Sequence, residues 1–524
     1  MERRWSSTLR TSNKNDTCNT PNIPGFDKAL STRNICVTGL FITWALSLGS
    51  LAFAAYSLDI GQTWEANLQR LSHSLREFMP LLFNIAITAC IDCVGYIHST
   101  SLRWALWEDK KRLRFNSNIR LFTNAPNCAP NSYVSNAMSA CCLIFCYVGS
   151  SQAFVYTSSD GEVTGLELNS IAVLMLGIGL FGLVFISTWS LYMGPRIIHT
   201  WSSNPLNVCL AALHDGLERQ TGRCMLNAAA LETQPADSPV RPVSPSRRQP
   251  SARVTNPGVK WVNRLLWLLL LITIVWASII TRLTIQLRSP VKDWDFFTQF
   301  TSATFLNDNI SLHIGTTRWS RVLQSVLALL FIAVIQACLT LGLHSIELIV
   351  NISRDEDAWR SAATPIPIKG SGLATESNRG KGMRGARLNM SSITTAVTSW
   401  QTIGLFIFKP ITHWLFGLGM VVYADDYYGS EIIFRPIPLW ALAACALFIS
   451  LSVTWMVRYK PRGPQPAAYG HLQTLANLVD DWGTGEDTTL YWGDKGENGN
   501  GSRHAGTSSS RDQVDDIRMD FLYE

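Results

Sequence analysis

Charge is scarce in this chain, and so is histidine. Only 16% of its 524 residues are Asp, Glu, Lys or Arg, and its nine His are scattered. No HExxH pair, Walker loop or nucleophile elbow occurs, so the metalloprotease, nucleotide-hydrolase and α/β-hydrolase readings have no starting point. What fills the space is apolar: 47% of the residues are hydrophobic and 19 are Trp. They gather in eight runs, at 35–57, 78–96, 136–156, 171–193, 265–285, 322–350, 401–422 and 438–457. Each is about twenty residues or longer, enough to cross a hydrocarbon layer roughly 30 Å thick. A soluble core needs no such blocks. Lipid-crossing helices do, because each must satisfy its own backbone polar groups.

The net charge of +6 is distributed as orientation requires. Lys and Arg crowd the segments before the first run and after the second, fourth, sixth and eighth, with Arg103, Lys110, Lys111, Arg112 and Arg114 as one example. Of the intervening segments, 158–170 has none and carries Asp160, Glu162 and Glu167, and 58–77 is balanced; 286–321 is the exception, with four basic residues, two of them beside the sixth run. Positive residues stay on the cytoplasmic side of a bilayer, so both termini are expected there, in the plasma membrane or an endomembrane. The same distribution speaks against nucleic acid as a partner. None of the twelve cysteines falls in an expected external loop, so no disulfide-stapled ectodomain is foreseen. No cleavable signal peptide is evident, and the first run reads as a signal anchor.

The expected fold is therefore all-α: a polytopic membrane helix bundle of about eight transmembrane helices, with a small cytoplasmic α/β element built from a loop and the C-terminal tail. Residues 1–34 form a disordered cytoplasmic tail. Helices one to four occupy 35–193, interrupted at 97–135 by a cytoplasmic helix and strand. Residues 194–264 are a cytoplasmic segment, in which 204–217 reads as a short apolar helix and the Pro/Ser/Arg-rich stretch 233–258 as a disordered linker. Helices five to eight occupy 265–457, with a cytoplasmic linker at 351–400 whose part 361–391 reads as flexible and basic, and 458–524 is a cytoplasmic tail. Residues 113–121 alternate apolar and polar like a half-buried strand, with 489–492 and 517–523 as candidate partners. Leu472, Leu475, Leu478 and Val479 recur at helical spacing. The link 58–77 is expected on the outer surface as an amphipathic helix, and Ala45 with Gly49 as a close-approach pair.

Few residues carry chemistry. Ionisable side chains inside spans are costly and therefore informative. Asp92 sits roughly 7 Å from the inner end of the second run and Lys409 roughly 12 Å into the seventh, at 1.5 Å per residue. They form a candidate intramembrane ion pair, and Pro410 predicts a helix interruption beside it. The alternative is a purely stabilising pair or two side chains snorkelling separately. His344 and Glu347 share a helical face but lack the partners of a metal site, and read as an interfacial pair. Cys90 and Cys93 read as packing. Gly177, Gly179 and Gly182 match a dinucleotide fingerprint but lie within a span, so they read as a helix-packing stripe. Asp293 and Asp295 lie in a loop too short for a catalytic domain. The spans show no obvious polar stripe. Asn309-Ile310-Ser311 is a glycosylation sequon on the outer side, whereas Asn389 lies inside. No catalytic residue, metal or cofactor is expected.

Several motifs recur together. They are Gly95-Tyr96-Ile97-His98-Ser99, Leu102-Arg103-Trp104-Ala105-Leu106, Phe115-Asn116-Ser117-Asn118, Arg120-Leu121-Phe122, Ala129-Pro130-Asn131, Tyr469-Gly470-His471-Leu472, Trp492-Gly493-Asp494-Lys495-Gly496 and Arg503-His504-Ala505-Gly506. In these the chain resembles a group of uncharacterised multi-pass membrane proteins of filamentous ascomycete fungi, over most of its length. The resemblance implies shared topology and a fungal source, and supplies no catalytic residues. The expected role is a non-enzymatic integral membrane protein with a cytoplasmic module that binds a protein partner. The alternative is a transporter or channel using Asp92 and Lys409; a membrane-embedded enzyme ranks below both.

Overall fold

The computed structural model describes residues 24–60, 64–66, 73–109, 111–159, 162–194, 197–234, 239, 241–287, 310–315, 320–363, 384–425, 429–483, 489–498 and 501–524. Helices dominate: α1 (Leu30–Ile60), α2 (His73–Glu108), α3 (Tyr133–Ser151), α4 (Ser170–Met193), α5 (Pro205–His214), α6 (Pro257–Leu287), α7 (Arg321–Arg360), α8 (Trp400–Gly419), α9 (Pro436–Arg458) and α10 (Leu472–Leu478). Local chemistry sets their starts. Asn169 caps α4 by accepting from the amides of Ile171 and Ala172, and Asn204 caps α5 ahead of Pro205. Seven of these helices, α1 to α4, α6, α7 and α9, are long and apolar enough to cross a membrane. The seventh apolar run forms α8, 20 residues long, which is not among those seven because Lys409, Pro410 and His413 lower its hydropathy.

The connections sort themselves to the two ends of the bundle. At one end lie two antiparallel three-stranded sheets. β1 (Trp64–Ala66), β3 (Glu162–Leu168) and β2 (Phe154–Ser159) join the α1–α2 and α3–α4 links, in the order β1-β3-β2. β4 (Ile310–Ile314), β7 (Gly429–Phe434) and β6 (Met420–Asp425) join the α6–α7 and α8–α9 links, in the order β4-β7-β6. The expected amphipathic helix in 58–77 is thus replaced, in its described part, by an edge strand and the first turn of α2.

At the opposite end a module gathers the remaining segments round one core. Trp104, Trp107, Leu206, Leu210, Trp359, Leu475, Trp492 and Tyr523 belong to the same buried cluster, with Phe26 packed against it. Both described ends of the chain therefore lie at this end. Its sheet is β5 (Ala386–Arg387), β8 (Thr489–Glu497) and β9 (Arg503–Ser508). The expected strand at 113–121 does not form. Only Phe115 bridges, to His471, because the adjoining polar side chains bond to other elements instead of facing a strand. Residues 517–523 likewise run as irregular chain, with Tyr523 bridging Val243 and Arg503. The linker expected to be disordered is held. From Arg241 onward its extended backbone pairs with the tail: Val243 with Tyr523, Gln249 N–H to Pro461 O at 2.9 Å, and Gly463 N–H to Arg247 O at 3.0 Å. Proline and serine suit such an extended strip, and the tail supplies the donors and acceptors that composition alone does not reveal.

α7 ties the module to the bundle. Its 40 residues span roughly 60 Å at 1.5 Å per residue, about twice a hydrocarbon layer. Its last turns enter the module, where Glu356 accepts from the amides of Ala468 (2.9 Å) and Tyr469 (2.8 Å). Gly470 takes φ +72 beside the Asp355 carboxylate, where a Cβ would collide with it. Asp355 also accepts from Asn116 at 2.9 Å. The quoted motifs around Asn116 and Gly470 thus meet on the end of α7.

Candidate functional site

Polar side chains line the centre of the bundle where α2 and α3 meet α7 and α8. On α7, Gln336, Thr340, His344, Glu347 and Asn351 follow at intervals of four, four, three and four, which places them on one helical face. Asn84, Thr88 and Asp92 do the same on α2, and Lys409 and His413 on α8. Tyr147 and Ser150 face them from α3. The stripe is inconspicuous in the sequence because it is interleaved with Ile, Leu and Val and is discernible only at a helical period.

Lys409 is the hub. Its Nζ lies 2.8 Å from Asp92 Oδ1 and 2.6 Å from Glu347 Oε1, so the expected pair is a triad. His344 Nδ1 reaches the same Glu347 oxygen at 2.8 Å. The Lys409 side chain is 3% exposed, whereas those of Asp92 and Glu347 are 34% and 28% exposed. The Lys409 side chain is sealed, while those of Asp92 and Glu347 are partly exposed. Pro410 does not interrupt α8, which runs unbroken to Gly419. The Thr412 hydroxyl bonds the Phe408 carbonyl at 2.5 Å, a local bond to the residue four positions back, just past the proline.

One turn further, His413 stacks on Tyr147 with ring centroids 3.7 Å apart and planes 10° from parallel. Its Nδ1 is 3.0 Å from Gln336 Nε2. With Gln336 as donor, the imidazole is neutral and carries its proton on Nε2. Gln336 Oε1, Thr340 Oγ1, His344 Nε2 and His413 Nε2 are buried without hydrogen-bond partners. Native proteins seldom leave such atoms unpaired; here they cluster beside the triad. Beyond them the Ser150 hydroxyl donates to Asn84 Oδ1 at 2.9 Å. Gln152 then bridges to the β6 backbone, donating to Met420 O (2.8 Å) and accepting from Val422 N–H (3.1 Å). On α7 the stripe stops at Ala333, Ile332 and Leu329, all buried and apolar.

Formal charges in the triad leave one negative charge in excess, with Arg120 nearby. The Arg120 guanidinium rests on Gly95, where any Cβ would displace it. Its Nε is buried without a partner. Glycine at 95 therefore makes room for an arginine beside the charged centre.

The other candidates resolve as structure. Gly179 presses α4 onto the α3 backbone at Cys142 and Cys146, and Gly177 receives Leu51 of α1, so the glycine run is a packing stripe. Cys93 packs against Gly39, whereas Gly49 faces open space and does not provide the close approach expected of it. Among the described residues, Glu108, His199 and Asp215 are close enough to hold a metal ion, a trio that the sequence reading did not find. Asp215 Oδ2 is already taken by Lys111 Nζ at 2.9 Å and Trp107 Nε1 at 2.6 Å. Burial raises that carboxyl, but the lysine and indole bonds outweigh it and hold the group below its usual range. A lysine therefore occupies the face that a metal would need. Asn309, Asp293 and Asp295 lie outside the described residues.

Comparison of the chain with protein-family models, with curated proteins and with solved structures gave no match. Fold and site together define a mostly helical protein with seven helices of membrane-crossing length, built round a charged seam between its two halves.

Proposed function

We infer that the chain is a multi-pass membrane transporter whose seam exchanges protons. In this reading α8 is an eighth crossing, the Lys/Arg-rich module and both termini are cytoplasmic, and Asn309 is a glycan acceptor on the other side. The fungal family suggested by the motifs fits the same topology. The observation that carries the reading is Lys409 held between Asp92 of the first half and Glu347 of the second. Charge at such depth is expensive and by default functional.

The placement gives each carboxylate a distinct effect. Lys409 and Glu347 both belong to the second half, so a proton on Glu347 leaves the bond between the halves intact. A proton on Asp92 removes the only ion pair of the triad that crosses between them. Protonation of Asp92 thus releases one half to move against the other, as in transporters that rock about a central site. The stripe of Asn351, Glu347, His344 and Thr340 offers the proton a path from the module end. Leu329 and Ile332 close the path beyond it.

The test is a pH jump on the protein reconstituted in vesicles adsorbed to a capacitive electrode. Proton entry into a site within the membrane displaces charge even when no cargo is present. Wild type should give a transient that Asp92→Asn and Glu347→Gln each diminish. A wild-type signal equal to that of protein-free vesicles, or unchanged in both variants, would refute the proposal. A second reading, a scaffold, draws on an open groove of about 420 Å³ in the module, lined by Trp107, Arg114, Leu217 and His471 among others. A partner bound there would be retained by Asp92→Asn.

A further inference from the structure

At the module end of the bundle, four cations share a cavity in which they have no counter-ion among the described residues. Lys260, Asn263, Arg264 and Trp267 recur at three, one and three residues along the first turns of α6, which puts them on one face. Arg458 joins them from the last turn of α9, and Arg253 from the short helix Ala252–Thr255. These six residues line a cavity of about 260 Å³. No acidic residue lines it, and none of the four cations forms an ion pair among the described residues. Elsewhere in the module basic groups do find partners, such as Arg114 with Glu232 at 2.8 Å and Arg360 with Glu356 at 2.8 Å. The floor is fixed by a hydrogen-bond chain. Trp267 Nε1 donates to Thr454 Oγ1, and Thr454 donates to Asn263 Oδ1, both at 2.9 Å. Asn263 thereby keeps its amide N–H groups as donors.

The surroundings indicate where this cavity sits. Trp261, Trp455 and Tyr459 are exposed around it, 70%, 58% and 50%, and Trp and Tyr favour the headgroup level of a bilayer. Toward the bundle centre the same two helices expose Leu268, Leu271, Phe448 and Leu451, an apolar surface continuous with the basic one. Cations above and hydrocarbon below match one molecule: a phospholipid of the module-side leaflet.

We propose that this cavity binds an anionic phospholipid whose headgroup carries more than one negative charge. Arg253, Lys260, Arg264 and Arg458 hold the phosphates, and the acyl chains lie along α6 and α9. Basic pockets between membrane helices on the cytoplasmic face recognise such headgroups, and each nearby Lys or Arg contributes about 1 kcal/mol. The assignment rests on the membrane-crossing reading and is independent of proton exchange in the seam.

The experiment is native mass spectrometry of the full chain from nanodiscs of phosphatidylcholine alone or doped with phosphatidylserine or phosphatidylinositol 4,5-bisphosphate. Wild type should retain one bisphosphate lipid in preference to the others. The triple variant Lys260→Gln/Arg264→Gln/Arg458→Gln should bind it about a hundredfold more weakly, from roughly 1 kcal/mol per cation. Arg264→Gln alone, at an exposed position, should weaken it about fivefold and covers the case in which the triple variant fails to fold. Arg518→Gln, which removes an exposed charge outside the cavity, should behave as wild type. Equal retention by Arg264→Gln and wild type overturns the proposal. So does displacement of the lipid by an equal concentration of free inositol trisphosphate, which would make the cavity a soluble-phosphate site. A chain that enters no nanodisc contradicts the membrane reading itself; one that enters without headgroup preference contradicts only the cavity.

Discussion

Replacing Lys409 by Met removes the cation from two short contacts, at 2.8 and 2.6 Å, and leaves two carboxylates facing each other inside the bundle. Breaking a buried ion pair from one side costs about 3–5 kcal/mol, because the orphaned charge stays desolvated. The partial exposure of Asp92 and Glu347 places Lys409→Met toward the lower part of that range. Asp92→Asn should cost less, since Lys409 keeps Glu347 and Glu347 keeps His344 at 2.8 Å. Glu347→Gln should cost an intermediate amount, since His344 loses its carboxylate acceptor. The informative variant is Lys409→Met combined with Asp92→Leu and Glu347→Met. With all three charges gone it should regain at least about 2 kcal/mol over Lys409→Met alone, because apolar replacement of a whole buried pair is often neutral. Equilibrium unfolding in mixed micelles at increasing SDS fraction measures each value. Losses of Lys409→Met, Asp92→Leu and Glu347→Met, each measured singly, that sum to the triple value within about 0.5 kcal/mol would show the charges to be independent. That result would refute the clasped triad and favour separate snorkelling.

Three further outcomes are expected. In the module, His504 Nε2 lies 3.0 Å from Asp480 Oδ2, a bond that raises its pKa from 6.5 to about 10. This bond stabilises the module fully below about pH 6.5, and the contribution is lost as pH rises toward 10. The thermal midpoint should therefore fall across that window in wild type but not in His504→Gln; equal slopes would contradict the assignment. Gly179→Ala should destabilise by about 1–3 kcal/mol through overpacking on the α3 backbone, while Gly49→Ala, which meets nothing, should stay within about 0.5 kcal/mol; both are read by thermal unfolding. Glycan mapping should find sugar on Asn309 and none on Asn389, and the reverse would invert the topology.

The bundle was legible because helices long and apolar enough to cross a membrane carry that length and composition through whole segments. Charge sorting was equally readable: the connections that sequence placed together by Lys and Arg share one core in the structure. The seam was half legible. Asp92 and Lys409 stand out as charges inside apolar runs, and the structure brings them together. Glu347 was set aside with His344, because a residue near a run's end reads as interfacial. Its approach to Lys409 follows from α7 continuing well beyond the apolar run, which pairwise spacing does not reveal. Gln336, Thr340 and His413 are neutral and were hidden among branched apolar residues. The module was misread in detail for a related reason. Burial at 113–121 does not follow the alternation: Phe115, Asn116 and Ser117 are buried in succession, which irregular chain allows because Asn116 and Ser117 find buried partners such as Asp355. The linker at 241–258 shows that composition reports what a segment can do alone, not what the tail will bind.

The central claim is that the charged seam is a polar path open to the module end and closed beyond Gln336. Single cysteines at Asn351 and Leu329, in a cysteine-free background and sealed vesicles of known orientation, test it with a membrane-impermeant thiol reagent. Labelling of the residue-351 variant from the module side alone, with residue 329 protected from both sides, is the predicted result. Protection of residue 351 from both sides, or labelling of residue 329 from the module side, would contradict it.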